Sequence, residues 1–309
     1  MNCERLGAAG LVTAYIVLDR FVEARAALDQ AESKGLDSFE LRKARYRLAF
    51  LENDATGRAE QVKYAMGKVG LEDDLLSQEA DTAAYFGHLK KARELIRQAV
   101  DSARRAKEDD NAITYANDGA AIEALFGNRE ETRKQVTSAM RLPLADKEAY
   151  WTGLPCAIVG DETRAELLYR KVENSSDPVS RETMFPIFSA LLAVHRKESE
   201  KAAEMVRGTK RYDLRLNYFL AYVCGLVFLA AKKASEAESD FQKVLEHRGL
   251  VWNSPAGALA HLQIGRAYAM KGDTAKARSA YEDFLTLWKD ADPDIPILKQ
   301  AKAEYVELQ

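Results

Sequence analysis

Hydrophobic positions along this chain recur with the period of an α-helix, and the stretch from Ser254 to Lys289 shows the pattern most completely. Leu262, Ile264, Gly265 and Tyr268 form one apolar stripe; Ala277, Tyr281, Phe284 and Leu285 form a second. Between them Gly272-Asp273 supplies the left-handed stop that the first helix needs and an N-cap for the second. The spacing predicts two amphipathic helices joined by a tight turn. Gly265 and Ala277 are small enough for the helices to approach closely, with Tyr268 and Tyr281 filling the space beside the contact. One such pair cannot bury its own apolar face, so it predicts neighbours of the same kind.

With Gly272 as the reference turn, equivalent turns fall at Asp19, Asn53, Gly87, Gly127, Gly160, Lys197 and Lys232, spaced by 34, 34, 40, 33, 37, 35 and 40 residues. Seven residues before the turn stand Ala80, Ala120, Gly153, Ala190, Gly225 and Gly265, with Val12 and Tyr46 in the first two units. Five residues after it stand Ala24, Ala92, Ala165, Ala202, Ala237 and Ala277, with Arg58 and Thr132 in units two and four. Nine residues after it an apolar residue recurs in every unit: Leu28, Val62, Ile96, Val136, Tyr169, Val206, Phe241 and Tyr281. A small residue, an aromatic, a turn, an Ala and an aromatic at these intervals resemble the tetratricopeptide (TPR) repeat. Residues 1–289 are therefore expected to form an all-α solenoid of about eight TPR-like hairpins, right-handed as the resemblance implies. Residues 290–309 are expected to form a proline-containing linker and a C-terminal capping helix.

Local chemistry suits these cut points. Ser235 with Glu238, and Asn128 with Glu131, read as capping boxes for second helices. Arg104, Arg105 and Lys107 end one helix and Glu108, Asp109 and Asp110 open the next, each charge suiting the dipole it meets. Asp290 to Pro296 contains two prolines and cannot be regular helix; the last helix is expected from Ile297 to about Leu308. The first helix begins within a few residues of Met1 with no capping segment, which leads us to expect a piece of a longer polypeptide or an array that continues from something else.

Composition narrows the classes. An apolar content of 47%, with only 7 prolines and 17 glycines, supports an extensive core. Charged residues make up 30% but nearly cancel to a net −3, leaving no electrostatic footprint for nucleic acid. Cys3, Cys156 and Cys224 have no metal-type spacing and imply no disulfide framework. No signal-peptide pattern opens the chain, so a cytoplasmic location is expected. The most apolar run, Tyr218 to Ala231, is shorter than the roughly 20 residues of a bilayer span, so a covered core helix and no membrane insertion are expected.

The resemblance extends beyond the bare repeat. LDSFELRKARYRLAFLENDA, EADTAAYFGHLKKARELIRQAVDSARR, EALFGN and the run from VLEHRGLVWNSPAGALAHLQIGRAYAMKGDTAKARSAYEDFLTLWK through KDADPDIPILKQAKAEY resemble the TPR region that follows the catalytic domain of bacterial eukaryotic-type serine/threonine protein kinases, or a winged-helix domain in related regulators. The likeness is most specific from Tyr212 onward. It implies a helical sensor or docking segment, cytoplasmic or, in a membrane-anchored kinase, extracytoplasmic. It carries no kinase activity over. The glycine-rich loop, the strand lysine and the DFG motif are absent, and His195-Arg196-Lys197 and His247-Arg248-Gly249 lack the catalytic Asp.

Candidate chemistry is correspondingly sparse. The four histidines lie in four units without the i, i+4 spacing of a helical metal site, and His261 is expected to serve packing. Cys156 and Cys224 read as small core residues. No cofactor, metal or catalytic group is expected, so a free-standing enzyme on a helical scaffold is disfavoured. The informative surface is the concave face of the first helices: Lys43, Arg47 and Phe50 in unit two, Ser77, Asp81 and Ala84 in unit three, and Tyr150, Trp151, Leu154 and Ala157 in unit five. Unit six contributes Ile187, Leu191 and Val194, and unit seven Tyr222, Leu226 and Leu229. These do not match the TPRs that grip a chaperone C-terminal carboxylate. A protein or peptide partner is expected around Tyr150, Trp151, Leu154, Tyr222 and Leu226, with Lys43, Arg47 and Asp81 forming a polar half. The alternative is that the solenoid buries those apolar residues against its own next turn.

Overall fold

In each of eight helix pairs, one helix ends and the next begins through the same two hydrogen bonds, which recur outside these turns at Gly35–Leu36 and Lys107–Glu108. A computed structural model describes residues 2–141, 144–209 and 218–308; Tyr212 lies outside them. The described residues are all-α, without strands. The helices run in pairs: α1 (Asn2–Val17) and α2 (Phe21–Ser33), α3 (Phe39–Leu51) and α4 (Ala55–Ala65), α5 (Glu72–Tyr85) and α6 (Leu89–Ala106), α7 (Asp109–Leu125) and α8 (Arg129–Ala139). There follow α9 (Asp146–Val159) and α10 (Glu162–Val172), α11 (Phe185–His195) and α12 (Ser199–Arg207), α13 (Phe219–Ala230) and α14 (Ala234–Glu246). A short α15 (Arg248–Val251) precedes α16 (Pro255–Met270), α17 (Thr274–Leu287) and α18 (Pro296–Glu307). Partners within each pair pack together, and each pair packs on the next.

Between the partners sit Asp19, Asn53, Gly87, Gly127, Gly160, Lys197, Lys232 and Gly272, and every one of them has a positive φ, from 57° at Asp19 to 83° at Gly127. The N–H of Gly272 donates to the Ala269 carbonyl and that of Asp273 to the Tyr268 carbonyl, both at 3.0 Å, and the equivalent two bonds recur at all the other turns. This is the Schellman closure, which satisfies two of the carbonyls a helix leaves free at its end. The residue after the turn is at once the N-cap of the following helix. Where it is Asp, as at Asp54, Asp161 and Asp273, its carboxylate accepts from the N–H three residues on. The expected capping boxes at Asn128 and Ser235 do not form. Asn128 stands at the N-cap but donates its side chain to Glu123, and Ser235 lies inside α14 behind Lys233. The left-handed turn residue fixes where the next helix starts, whichever side chain falls there.

Between paired helices the small residues set the distance. A Cβ built on Gly225 would lie 2.6 Å from the Phe241 ring, and one on Gly265 2.9 Å from Tyr281. Phe241 and Tyr281 are themselves buried, so neither ring can step aside cheaply. The apolar run after Tyr218 becomes α13, twelve residues long and covered by α11, α14 and α16. No helix among the described residues is long and apolar enough to cross a membrane.

The C-terminal part of the chain does more than cap the array. It docks on the turn ends of the first four pairs. The Gly249 N–H donates to Asp19 at 2.6 Å, Arg248 to the Leu51 carbonyl at 3.2 Å, and Asn253 to the Gln78 carbonyl at 2.7 Å. Trp288 donates its indole N–H to the Tyr85 carbonyl at 2.9 Å while its ring packs on Phe126. Asp292 then bridges pair three, its N–H to the Gly87 carbonyl at 3.0 Å and its carboxylate to the Lys90 N–H at 2.7 Å. The Ile297 N–H reaches the Phe126 carbonyl at 3.2 Å, and α18 packs on α17. The linker expected between α17 and α18 is thus a row of contacts to residues roughly two hundred positions earlier.

Three glycines separate the contributions. Nothing lies within 4 Å of a Cβ on Gly272, so Gly272→Ala should cost only the left-handed backbone penalty, about 1 kcal/mol. Gly225→Ala should cost about 1–3 kcal/mol through the Phe241 contact. A Cβ on Gly249 would sit 1.7 Å from the Ile16 carbonyl oxygen, so Gly249→Ala should detach residues 248–253 from α1. Faster amide exchange at Gly249 than in wild type checks this; unchanged exchange would mean the closure does not depend on that approach.

Candidate functional site

Because the C-terminal part returns to the first pairs, helices from five pairs meet around one cavity of about 280 Å³. Asp81 enters from α5, Asn117 and Asp118 from α7, Trp151 and Leu154 from α9, Phe219 from the start of α13, and Pro255 from the start of α16. Asp81 and Asp118 are half-buried, set deep among helices yet reached by solvent through the cavity. Neither carboxylate has a hydrogen-bond or ion-pair partner among the described residues, and the lining holds no Lys, Arg or His. Burial raises the Asp118 carboxyl to about 7; burial and then the Asp118 charge push Asp81 well above the usual carboxylate range.

Two further polar groups belong to this wall. Asn117 is only 5% exposed; its side-chain oxygen accepts from the Thr152 hydroxyl at 2.9 Å, and its NH2, a donor, has no partner among the described residues. Pro155, inside α9, has no N–H to offer the Trp151 carbonyl one turn back. The apolar part of the wall includes the Trp151 and Phe219 rings, 6.3 Å apart. The cavity thus joins uncompensated acceptors to an aromatic surface.

Of the residues expected to form a binding groove, this cavity gathers Asp81, Trp151 and Leu154. Tyr150 and Tyr222 do not face it. Each is 1% exposed, Tyr150 against Phe188 with its hydroxyl unpartnered, and Tyr222 against Phe241 with its hydroxyl near Gln263. Burial pushes both phenols upward. Leu226 is half-buried on α13 outside the lining, packed against the core. Lys43 pairs with Asp74 at 3.2 Å, and the Arg47 guanidinium lies 4.5 Å from the Trp252 ring centre with its Nε buried and unpartnered. The apolar groove positions are therefore largely occupied by the protein's own packing.

Sequence reading passed over Asn117, Asp118 and Phe219. A signal existed for two of them. Asn117 stands three residues before the small Ala120, the register of Tyr150, and Asp118 stands two before it, the register of Trp151. Nothing local marks Phe219.

Other candidates resolve into structure. Cys156 and Cys224 are buried, and burial, with Asp161 adding, pushes the Cys156 thiol up to about 12, far from a nucleophile. His195 bonds the Ala157 carbonyl at 3.0 Å, His247 the Lys243 carbonyl at 2.8 Å, and burial lowers His261. A larger cleft of about 560 Å³ lies between α6, α7 and α8, but its buried acid, Glu123, is held bidentately by Arg93. Convergent unpaired groups favour the smaller cavity as the site. No protein-family model matches this chain, and no curated protein matches it either.

A carboxyl whose pKa is raised on folding stabilises the fold below its unfolded value and loses that contribution as pH rises through the folded one. Asp118 should therefore favour the fold at pH 4 and weaken it above about 7. Asp118→Asn should melt like wild type at pH 4 and at a higher temperature at pH 8. A variant less stable than wild type at pH 8 would show that the carboxylate is compensated.

Proposed function

We infer that this chain is a non-catalytic recognition module: an α-solenoid of eight TPR-like hairpins, right-handed like that family, that binds a partner on its concave side. The observation that carries this reading is that helix pairs closed internally by the same turn recur at intervals of 33 to 40 residues. Stacked helix pairs of that period form extended binding surfaces. The resemblance in the EALFGN and VLEHRGLVWNSPAGALAHLQIGRAYAMKGD segments favours a more specific role, as the regulatory or sensor segment of a serine/threonine kinase or winged-helix regulator.

The partner is a protein or peptide, engaged where the concave side remains open. Trp151, half-buried with a solvent-reached face, supports a contact there, whereas the burial of Tyr150 and Tyr222 speaks against one at those rings. Buried aromatics at interfaces often carry about 2 kcal/mol or more each, whereas truncating a core aromatic costs roughly 3–5 kcal/mol of stability. Trp151→Ala should keep its melting temperature close to wild type and lose partner capture from the native lysate. Tyr222→Ala should fall in stability by the core amount. Full capture by a folded Trp151→Ala variant would move the contact to the polar half around Lys43 and Arg47. The purified chain should not turn over ATP; turnover abolished by a single substitution in this chain would overturn the non-catalytic reading.

A further inference from the structure

Two half-buried carboxylates face one cavity with no cation opposite them among the described residues, and such acceptors are costly to keep unpaired in a low-dielectric interior. Several acids elsewhere in this protein are matched by cations, Glu123 by Arg93, Asp161 by Arg133 and Arg164, Asp74 by Lys43, while the buried Asp73 accepts from the Tyr115 hydroxyl. Asp81 and Asp118 are left unmatched by the described residues although they share a wall with the Trp151 and Phe219 rings. Asn117, 5% exposed, stiffens the same wall, its side-chain oxygen accepting from the Thr152 hydroxyl at 2.9 Å.

We propose that this cavity binds an organic ammonium group, its charged head between Asp81 and Asp118 and its apolar stem against Trp151 and Phe219. The polar and apolar parts of the wall match the two parts of such a ligand. Carboxylates accept the N–H donors or neutralise the charge. Aromatic faces attract a cation through their quadrupole, most strongly where water is excluded. Leu154 and Pro255 cover the stem. A volume of about 280 Å³ lies just below the roughly 300–1,000 Å³ of drug-sized pockets, so the ligand has the size of a phenethylammonium or choline ion. A hard divalent cation fits poorly. It needs about six to eight oxygen ligands, and no group of three His, Cys, Asp or Glu stands together among the described residues. The ammonium group arrives either on a free amine or on the lysine side chain of a partner.

This inference deepens the recognition-module reading and rests on it. Isothermal titration calorimetry of the full chain at pH 8 tests it with phenethylammonium, choline and the peptide acetyl-Gly-Lys-Gly-amide. The neutral controls are 2-phenylethanol and 3,3-dimethylbutanol. Saturable binding of at least one ammonium probe is expected, at least tenfold tighter than its neutral counterpart and weakened at least tenfold by Asp118→Asn and by Asp81→Asn. Two variants keep the test sound if one of them fails to fold. Tighter binding of the peptide assigns the site to a partner's lysine; tighter binding of a small amine assigns it to a metabolite. No saturable ammonium binding, equal binding of the neutral controls, or folded Asn variants that bind like wild type would overturn the proposal. Should the amines fail while lysate capture persists, the module reading stands and only the cavity's role falls; should both fail, the module reading falls as well.

Discussion

The arrangement depends on how the chain's last pairs reach the helix ends of its first pairs. Every α-helix leaves carbonyls free at its C-terminus, and the Schellman turns of this chain satisfy only some of them. The carbonyls of Leu51, Tyr85, Gly87 and Phe126 lie in or beside the turns of pairs two to four and accept from Arg248, Trp288, Asp292 and Ile297. Residues that would otherwise need water thus become docking points. The segment between α17 and α18 can serve them because Pro293 and Pro296 keep it from continuing as helix. Gly249 belongs to the same logic, since only a residue without a Cβ can lie against the Ile16 carbonyl.

Closure has a price in polar burial. Helices brought around a common interior present whatever stands at their inner positions, and in pairs three to five these include Asp81, Asn117 and Asp118 beside Trp151 and Leu154. Elsewhere the inner positions are filled tightly. Tyr150 rests on Phe188, Tyr222 on Phe241, and Arg47 on Trp252. The cavity persists where carboxylates replace side chains that could interdigitate. Its carboxyls are raised by burial without a counter-charge among the described residues.

Much of the architecture was legible in the sequence, because helix period, turn chemistry and small contact residues are local signals. Gly272-Asp273 announces a left-handed residue followed by an N-cap, and Gly225 and Gly265 announce close helix contacts. Even Asn53, Lys197 and Lys232, which lack glycine's freedom, could be placed by their distance from neighbouring units. The capping boxes at Asn128 and Ser235 misled for a physical reason: a closed turn sets the start of the next helix by backbone geometry before any side chain is consulted.

By itself, then, the sequence determined that this is an all-helical chain, where its helices stop, and which residues face a neighbouring helix. Only the tertiary structure decided which inner-facing residues are core and which line a cavity. Tyr150 and Trp151 are adjacent in sequence, yet Tyr150 packs against Phe188 while Trp151 faces Phe219 and two carboxylates. Periodicity assigns a face to a residue but not the element that will lie opposite. That depends on long-range contacts such as Gly249 with Asp19, between residues 230 apart.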